Sequence, residues 1–379
     1  MKILLIGEYY SYNLGDPLLC RTVEKLIASE YPQAEITPFD MSGKAGFDEF
    51  FVLEQRSFSE RCMTKIFDIL SGVFTQKPFW IKYSADRHRH LATLCSLLRV
   101  LRKNDFDLAV FAGGSIFMNY FSSIIYLIIN ILNLKRIKVI FHACGTSSMD
   151  DVDIALFAKA LKKRNIRSIS LRDSYEQFTD LFTPSCPVIK TFDTALMSSK
   201  LYPAAASVIA EHGICIVGRE EFYEAQKSFV RYMMNSGRSF RLYTNGEPKD
   251  QLIAEELLAD LGIAPTHYDQ YLLPLARDEN ELIQQVTSFR HIYSYRMHSL
   301  IIASSFGIRH FGFVSAAKIP MFYHYLNADK WCTALEPNSN FDDILNIAAQ
   351  PIENLSSLVE YQAGHSKACL LSSIAQYLK

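Results

Sequence analysis

Residues Phe289 to Gly307 read Phe-Arg-His-Ile-Tyr-Ser-Tyr-Arg-Met-His-Ser-Leu-Ile-Ile-Ala-Ser-Ser-Phe-Gly. His291 to Tyr295 is aromatic and β-branched, which predicts a buried strand. Ser299 to Phe306 is apolar with small residues, which predicts a helix closed by Gly307. Arg296 and His298 therefore fall on a strand-to-helix junction. Open α/β sheets bind ligands beyond the carboxyl ends of their strands, where a helix N-terminus offers unpaired N–H groups and partial positive charge. A permanent guanidinium and a titratable imidazole at such a place make an anion site with a proton handle. The alternative is that His298 caps the helix or packs in the core, and that Arg296 pairs with a nearby carboxylate.

The same grammar extends in both directions. Strand Ile214–Val217 ends in Gly218-Arg219-Glu220, and strand Ser239–Tyr243 ends in Thr244-Asn245-Gly246, each followed by a helical pattern (Phe222–Asn235 and Asp250–Leu261). Helix Asn280–Ser288 precedes the quoted stretch and strand Arg309–Phe313 follows it. Nearer the N-terminus, Ile3–Ile6 leads through Gly7–Asp16 to the amphipathic run Leu18, Leu19, Val23, Leu26, Ile27. Asn13 and Asp16 there suit either a helix start with Pro17 at its first position or a ligand. Strand Glu35–Phe39 comes next, and Asp107–Phe111 runs into Ala112-Gly113-Gly114-Ser115, where paired glycines let a backbone approach a ligand. That loop lacks the further glycine and downstream acid of a dinucleotide fingerprint. Strand Lys138–Phe141 ends at His142, Arg167–Leu171 at Arg172-Asp173-Ser174 with Asp173 a candidate cap, and Val188–Phe192 at Asp193-Thr194-Ala195.

This repeated order predicts an α/β chain of two Rossmann-like domains. The first spans 1–200 with an insertion around 41–104, and prolines mark a linker between Leu196 and Ala206. The second spans 206–335, and a helical segment at 340–379 packs back on the first. Three arginines (Arg172, Arg219, Arg296) and two histidines (His142, His298) fall at expected strand ends, and a cleft between two such domains is a usual pocket. Converging arginines and histidines suit a small, multiply anionic substrate.

Composition narrows the classes. The chain has 379 residues, 49 % hydrophobic and 21 % charged, the balance of a globular protein of two domains. Its 39 basic and 40 acidic residues nearly cancel, and no basic stripe is interleaved with aromatics, which argues against nucleic acid. The eight cysteines show no C-x-x-C pair and no histidine at zinc-ligand spacing, so we expect reduced thiols, a cytoplasmic protein and no metal. Arg87-His88-Arg89-His90 reads as a solvated surface run. The N-terminal apolar run is too short for a signal peptide and is read as the first strand. Ala109–Leu134 carries no charge but is broken by Gly113, Gly114, Ser115, Asn119, Ser122 and Ser123, which favours a buried or interface helix over a membrane span. Weak membrane-surface association and homo-oligomerisation stay open.

In this ordered set the chain resembles the polysaccharide pyruvyl transferase family. The resemblance is carried by Asn13-Leu14-Gly15-Asp16, Gly113-Gly114-Ser115, Leu171-Arg172-Asp173-Ser174, Asp193-Thr194-Ala195, Arg219 and Arg296-Met297-His298-Ser299. It departs where many members show three glycines against Ala112-Gly113-Gly114, and an acidic residue against Pro17. The resemblance implies a GT-B-like pair of domains with a cleft between them. It also implies a reaction in which phosphoenolpyruvate, with no further cofactor, gives its pyruvyl group to a sugar or lipid-linked oligosaccharide as a ketal in cell-surface polysaccharide synthesis. By the same resemblance, Arg219 and Arg296 would hold the donor's carboxylate or phosphate and His298 would carry the proton, with His142 as a second proton carrier. Asn13, Asp16, Gly113, Gly114, Ser115, Arg172 and Asp193 would complete substrate binding. The alternatives are a GT-B glycosyltransferase using a nucleotide sugar, for which Glu336 is the best ribose-binding carboxylate, and a non-catalytic glycan or anion binder.

Overall fold

The computed structural model describes residues 1–42, 46 and 93–378. Most of the expected insertion, with the Arg87–His90 run and Cys62, lies outside the described residues.

One parallel sheet is built from β1 (Lys2–Gly7), β2 (Glu35–Asp40), β3 (Leu108–Ala112), β4 (Lys138–Cys144), β5 (Ile166–Leu171) and β6 (Val188–Lys190), in the order β2-β1-β3-β4-β5-β6. Every residue of β3 is buried, so the strand is a continuous apolar run and not an alternating one. Aromatics fill the space beside it. Phe111 stacks on Phe141 at 4.4 Å between ring centroids, and Phe117 contacts Phe141, Phe157 and Phe178. The uncharged stretch after β3 becomes a loop and a 13-residue helix, Ser122–Leu134, most of whose residues are buried in this core. Ser122 inside that helix donates to Asp153 Oδ1 at 2.5 Å, and Asp153 completes a reciprocal cap with Asp150 on the helix Asp151–Leu161. Among the described residues, no helix is long and apolar enough to cross a membrane, and none of the seven described cysteines is in a disulfide.

The second parallel sheet holds β7 (Ala210–Cys215), β8 (Phe240–Tyr243), β9 (Phe289–Ser294), β10 (Arg309–Phe313) and β11 (Cys332–Thr333), in the order β11-β10-β9-β7-β8. Counted within its own sheet, each begins with the doubly wound order 2-1-3-4-5, and the first adds a sixth strand. The strand order reverses between β1 and β3 in one sheet and between β7 and β9 in the other, and such a reversal opens a crevice at the carboxyl edge. Arg296 follows β9 by two residues and Arg219 follows β7 by four.

The chain divides into two compact units: Met1–Tyr10, Val23–Phe192 and Ser366–Lys379 in one, Ser11–Thr22 and Asp193–His365 in the other. This division differs from the linear one read from the prolines. It falls at Phe192/Asp193 because Asp193 caps a 3-10 turn, Thr194–Met197, that packs on the helix Met297–Ser305. Ser11–Thr22 joins the second unit through the loop contacts given below, and the helix Leu355–Leu378 passes from one unit to the other at His365/Ser366.

A second difference concerns His142. β4 does not stop at Phe141 but runs on through Cys144, with Ala143 at φ 50 inside it, so His142 lies within a strand and not in a loop after one. It is 1 % exposed, with Ser170 Oγ 3.2 Å from Nδ1 and Ser366 Oγ 3.5 Å from Nε2. A short apolar run with a histidine at its end gives no sign that pairing continues beyond it.

Candidate functional site

The second unit gathers residues far apart in sequence at the carboxyl ends of β7, β8 and β9. The loop before the helix Gly15–Glu30 is closed on itself: Asn13 Nδ2 donates to Asp16 Oδ2 at 2.9 Å and Ser11 Oγ to the same oxygen at 3.3 Å. The helix begins at Gly15, so Pro17 sits in its first turn, where no N–H is required. Asn245, fully buried just past β8, fastens this loop at two points. Its carbonyl accepts the Leu14 N–H at 3.0 Å and its Nδ2 donates to Asn13 Oδ1 at 2.5 Å. Its remaining oxygen, Oδ1, accepts from Ser299 Oγ at 3.2 Å. One amide thereby ties the loop to the helix Met297–Ser305.

His298 is the second residue of that helix and is 5 % exposed. Its ring lies against Gly15, where any larger residue would collide with it. Nε2 is 4.0 Å from Asp193 Oδ2, while Asp193 Oδ1 accepts the Ala195 N–H at 2.8 Å and so holds its carboxylate in place. The imidazole is therefore fixed between a glycine backbone and a capped carboxylate. No side-chain cap bond marks the start of the helix, so His298 is not its cap.

Arg296 has acidic company. Its Nη2 donates to both Glu247 and Asp250, on the loop and helix start after β8. Burial alone would lower the Arg296 pKa, but Asp250 and Glu247 outweigh it and hold the guanidinium further above its ordinary range. Burial raises the Asp250 carboxyl above the usual carboxylate range, against the opposing pull of Arg296. The pairing with nearby carboxylates is therefore the state the structure shows for Arg296. Its Nε is buried and has no hydrogen-bond partner, and a buried donor in that state costs about 1–3 kcal/mol until an acceptor reaches it. Ser294 Oγ accepts the Arg296 N–H at 2.8 Å and donates to its carbonyl at 3.1 Å, which shapes the turn. Asp250 Oδ1 also accepts the Gly218 N–H at 2.6 Å, so the Arg296 ion pair braces the strand end that carries Arg219. Arg219 itself is 55 % exposed, with a long 3.9 Å approach to Glu221.

The first unit carries the rest of the expected residues. Gly113 and Gly114 adopt φ 53 and 78, which favour glycine. The Gly113 N–H donates to the His142 carbonyl at 2.8 Å and the Gly145 N–H to the Gly114 carbonyl at 2.7 Å, so the ends of β3 and β4 are laced together. Arg172, 5 % exposed, reaches Ser115 Oγ at 3.4 Å and pairs with Asp173 at 3.2 Å. Asp173 does not cap a helix. It accepts the Thr146 N–H at 3.0 Å, and Ser174, at φ 50, precedes the helix Tyr175–Leu181. Gly113, Gly114, Ser115 and Arg172 thus share one sheet edge, with His142 behind them in the sheet. Asn13, Asp16, Asp193, Arg219, Arg296 and His298 share the other unit.

Asn245, Glu247, Asp250 and Ser294 were not singled out from sequence. Asn245 followed a strand, as Arg296 does, and that position was the available signal. Nothing in the Glu247–Asp250 helix start distinguished its acids from ordinary N-terminal ones. Glu336 is exposed, and its backbone N–H donates to Ser339 Oγ at 2.9 Å.

A family model described as polysaccharide pyruvyl transferase matches residues 13–316 of the chain. Among solved structures, the chain is similar to a putative UDP-N-acetylglucosamine 2-epimerase from Listeria monocytogenes at TM-score 0.60 and 11 % identity, covering 100 % of this chain and 96 % of that one. It is also similar to a sucrose-phosphate synthase from Thermosynechococcus elongatus (TM-score 0.54, 9 % identity, 100 % and 99 % covered). A third similar structure is a spinosyn rhamnosyltransferase complexed with thymidine diphosphate (0.51, 11 %, 98 % and 99 %). At such identities these GT-B glycosyltransferases and epimerases bear on the fold alone. No curated protein matches the chain.

Proposed function

Because the chain belongs to the polysaccharide pyruvyl transferase family, we propose that it transfers the pyruvyl group of phosphoenolpyruvate to two hydroxyls of a sugar, forming a cyclic ketal and releasing phosphate. The observation that carries this reading is the meeting, within one unit, of three stretches remote in sequence. The Asn13–Asp16 loop, Asp193 and the Arg296–Ser299 junction close around His298.

The chemistry asks for a proton to reach the donor's methylene carbon while a sugar hydroxyl adds to the central carbon. A second hydroxyl then closes the ring as phosphate departs. Of the two hydroxyl protons, one ends in the new methyl group and the other leaves with phosphate, so no oxidant or reductant enters the balance. His298 is the proton carrier in this scheme. Asp193, held by the Ala195 N–H, stands 4.0 Å from Nε2 and steadies the imidazole. Arg219, half exposed at the end of β7, takes the donor's anionic end. Arg296 offers its unpartnered Nε and otherwise acts through Asp250 to hold Gly218 and Arg219 in register. Asn13 and Asp16 shape the loop on which the histidine rests. Ser115, Arg172 and the Gly113-Gly114 turn, with His142 behind them, are further candidate substrate-binding residues, gathered at the carboxyl edge of the first sheet. The acceptor is a sugar, free or lipid-linked, of cell-surface polysaccharide assembly in the cytoplasm.

The test is phosphate release from phosphoenolpyruvate across a panel of diol-bearing sugars, run beside calorimetric titration with phosphoenolpyruvate and with a uridine diphosphate sugar. Acceptor-dependent release that falls at least 100-fold in His298→Gln, with phosphoenolpyruvate binding retained, is the expected result. Binding of the nucleotide sugar without binding of phosphoenolpyruvate would assign the chain to sugar transfer instead.

A further inference from the structure

At the opposite end of the second sheet, three side chains meet that the pyruvyl transfer scheme does not use. His212 on β7 and His291 on β9 are direct cross-strand partners with rings 5.0 Å apart, and Glu211 stands beside them. Their ligand atoms lie within 4.8 Å of one another. His291 precedes Ser294 by three residues, so the cluster sits about 10 Å along the strand from the junction that carries Arg296.

Two features distinguish this group from an ordinary pair of core histidines. The first is orphaned polarity: His212 and His291 are 4 % and 5 % exposed, yet Nε2 of His212 has no hydrogen-bond partner and the His291 ring nitrogens make no well-formed hydrogen bond, with only the Glu211 backbone bearing on that ring. Each such buried group costs about 1–3 kcal/mol unless something satisfies it. The second is orientation. Nδ1 of His212 lies 3.3 Å from the Tyr293 hydroxyl, the kind of outer contact that fixes a tautomer and leaves the other nitrogen's lone pair for a metal.

We propose that Glu211, His212 and His291 form a binding site for a divalent late first-row metal ion, zinc being the reference case, which clamps the two central strands of this sheet. Two imidazoles and one carboxylate are a sufficient protein ligand set for tetrahedral zinc, with water in the fourth position. Zinc–ligand bonds of about 2.0–2.1 Å require neighbouring ligand atoms about 3.3 Å apart. Surrounding charge sharpens the choice of ion. Arg238 faces His212, and Arg309 and Arg290 face His291, with Glu211 the opposing charge. That field opposes any cation and weighs most on ions held by charge alone, such as magnesium or calcium, and less on those with strong imidazole bonds.

The experiment is zinc titration of the full chain after chelator treatment, read by a competing chromophoric chelator and by thermal unfolding, with cobalt(II) absorption reporting geometry. One tight equivalent, a raised Tm and a tetrahedral cobalt spectrum are expected. Glu211→Gln, an exposed change that leaves folding intact, weakens zinc at least 10-fold, and His291→Gln weakens it at least 100-fold. Absence of stoichiometric zinc binding in the wild type overturns the proposal. So does wild-type affinity in both variants, which would place the metal on thiols elsewhere.

Discussion

A Cβ built on Gly15 would lie 1.8 Å from Nδ1 of His298. The obstacle is the ring root of a buried side chain, with Cγ at 2.3 Å and Cβ at 2.7 Å, so it cannot swing aside as a flexible tip could. Gly15 is thus present because the histidine is laid on the backbone, and the two positions are coupled across more than 280 residues of chain.

Gly15→Ala is therefore expected to displace His298 from Asp193. Phosphate release falls at least 100-fold, while far-ultraviolet circular dichroism is unchanged, since the glycine starts a helix that alanine favours. Activity within threefold of wild type would mean that the imidazole position does not govern the reaction.

Arg296 and Asp250 make a second coupled pair. Removing the arginine leaves the 1 % exposed Asp250 carboxylate without its cation, and breaking a buried ion pair this way costs about 3–5 kcal/mol. The low end is expected, because Glu247 is 38 % exposed and keeps part of its hydration. Arg296→Ala should lower denaturant stability by about 3 kcal/mol, and adding Asp250→Asn should recover more than half of that. Urea unfolding of the two single variants and the double variant closes the cycle. Additive losses would show that the pair is not the source.

Arg219 invites the opposite result. Its side chain is more than half exposed and its nearest acidic contact is 3.9 Å away, so Arg219→Ala changes stability by no more than about 0.5 kcal/mol. If it takes the donor's anionic end, the dissociation constant of phosphoenolpyruvate rises at least 10-fold, with Arg219→Lys intermediate. Calorimetry reads both constants directly. Unchanged affinity would remove Arg219 from the donor site and leave Arg296 Nε as the remaining candidate in this unit.

Much of the second sheet was legible because its strand ends carry a repeated signal, an apolar run broken by glycine or a charged residue and then a helical period. Arg296 and His298 stood out by that rule, and the ordered motifs pointed to the family that residues 13–316 match. What the sequence withheld were partners. Nothing local to Asn13 indicates that its amide meets Asn245, and nothing near Arg296 indicates two carboxylates from a helix start some 46–49 residues earlier. The division between units was hidden for the same reason: Ser11–Thr22 and Asp193 join the second unit through contacts, while prolines and composition mark only the covalent path. His142 shows a third limit. The sheet continued past it because Cys144 finds a partner in Leu171, a long-range pairing that no short window contains.

His310 gives the chain a specific acid weakness. It is fully buried on β10, with Nε2 2.6 Å from Ser304 Oγ and Nδ1 2.7 Å from the Tyr323 hydroxyl, and burial lowers its pKa to about 3. An unfolded histidine titrates near 6.5. The unfolded chain therefore binds a proton that the folded chain refuses at any pH between these values. The native state keeps the full benefit of a neutral His310 above about pH 6.5 and loses it as pH falls toward 3, at up to ~1.4 kcal/mol per pH unit. Replacing the ring removes the titration but also leaves Ser304 and Tyr323 to find new partners, so His310→Gln, which can both donate and accept, is the informative variant. It should be less stable than wild type at pH 8, by about 1–3 kcal/mol, and the difference should shrink between pH 6.5 and pH 4.5. Urea midpoints at five pH values measure it. A constant difference across that interval would show that His310 already carries its proton in the folded state, contrary to its burial between two hydroxyls.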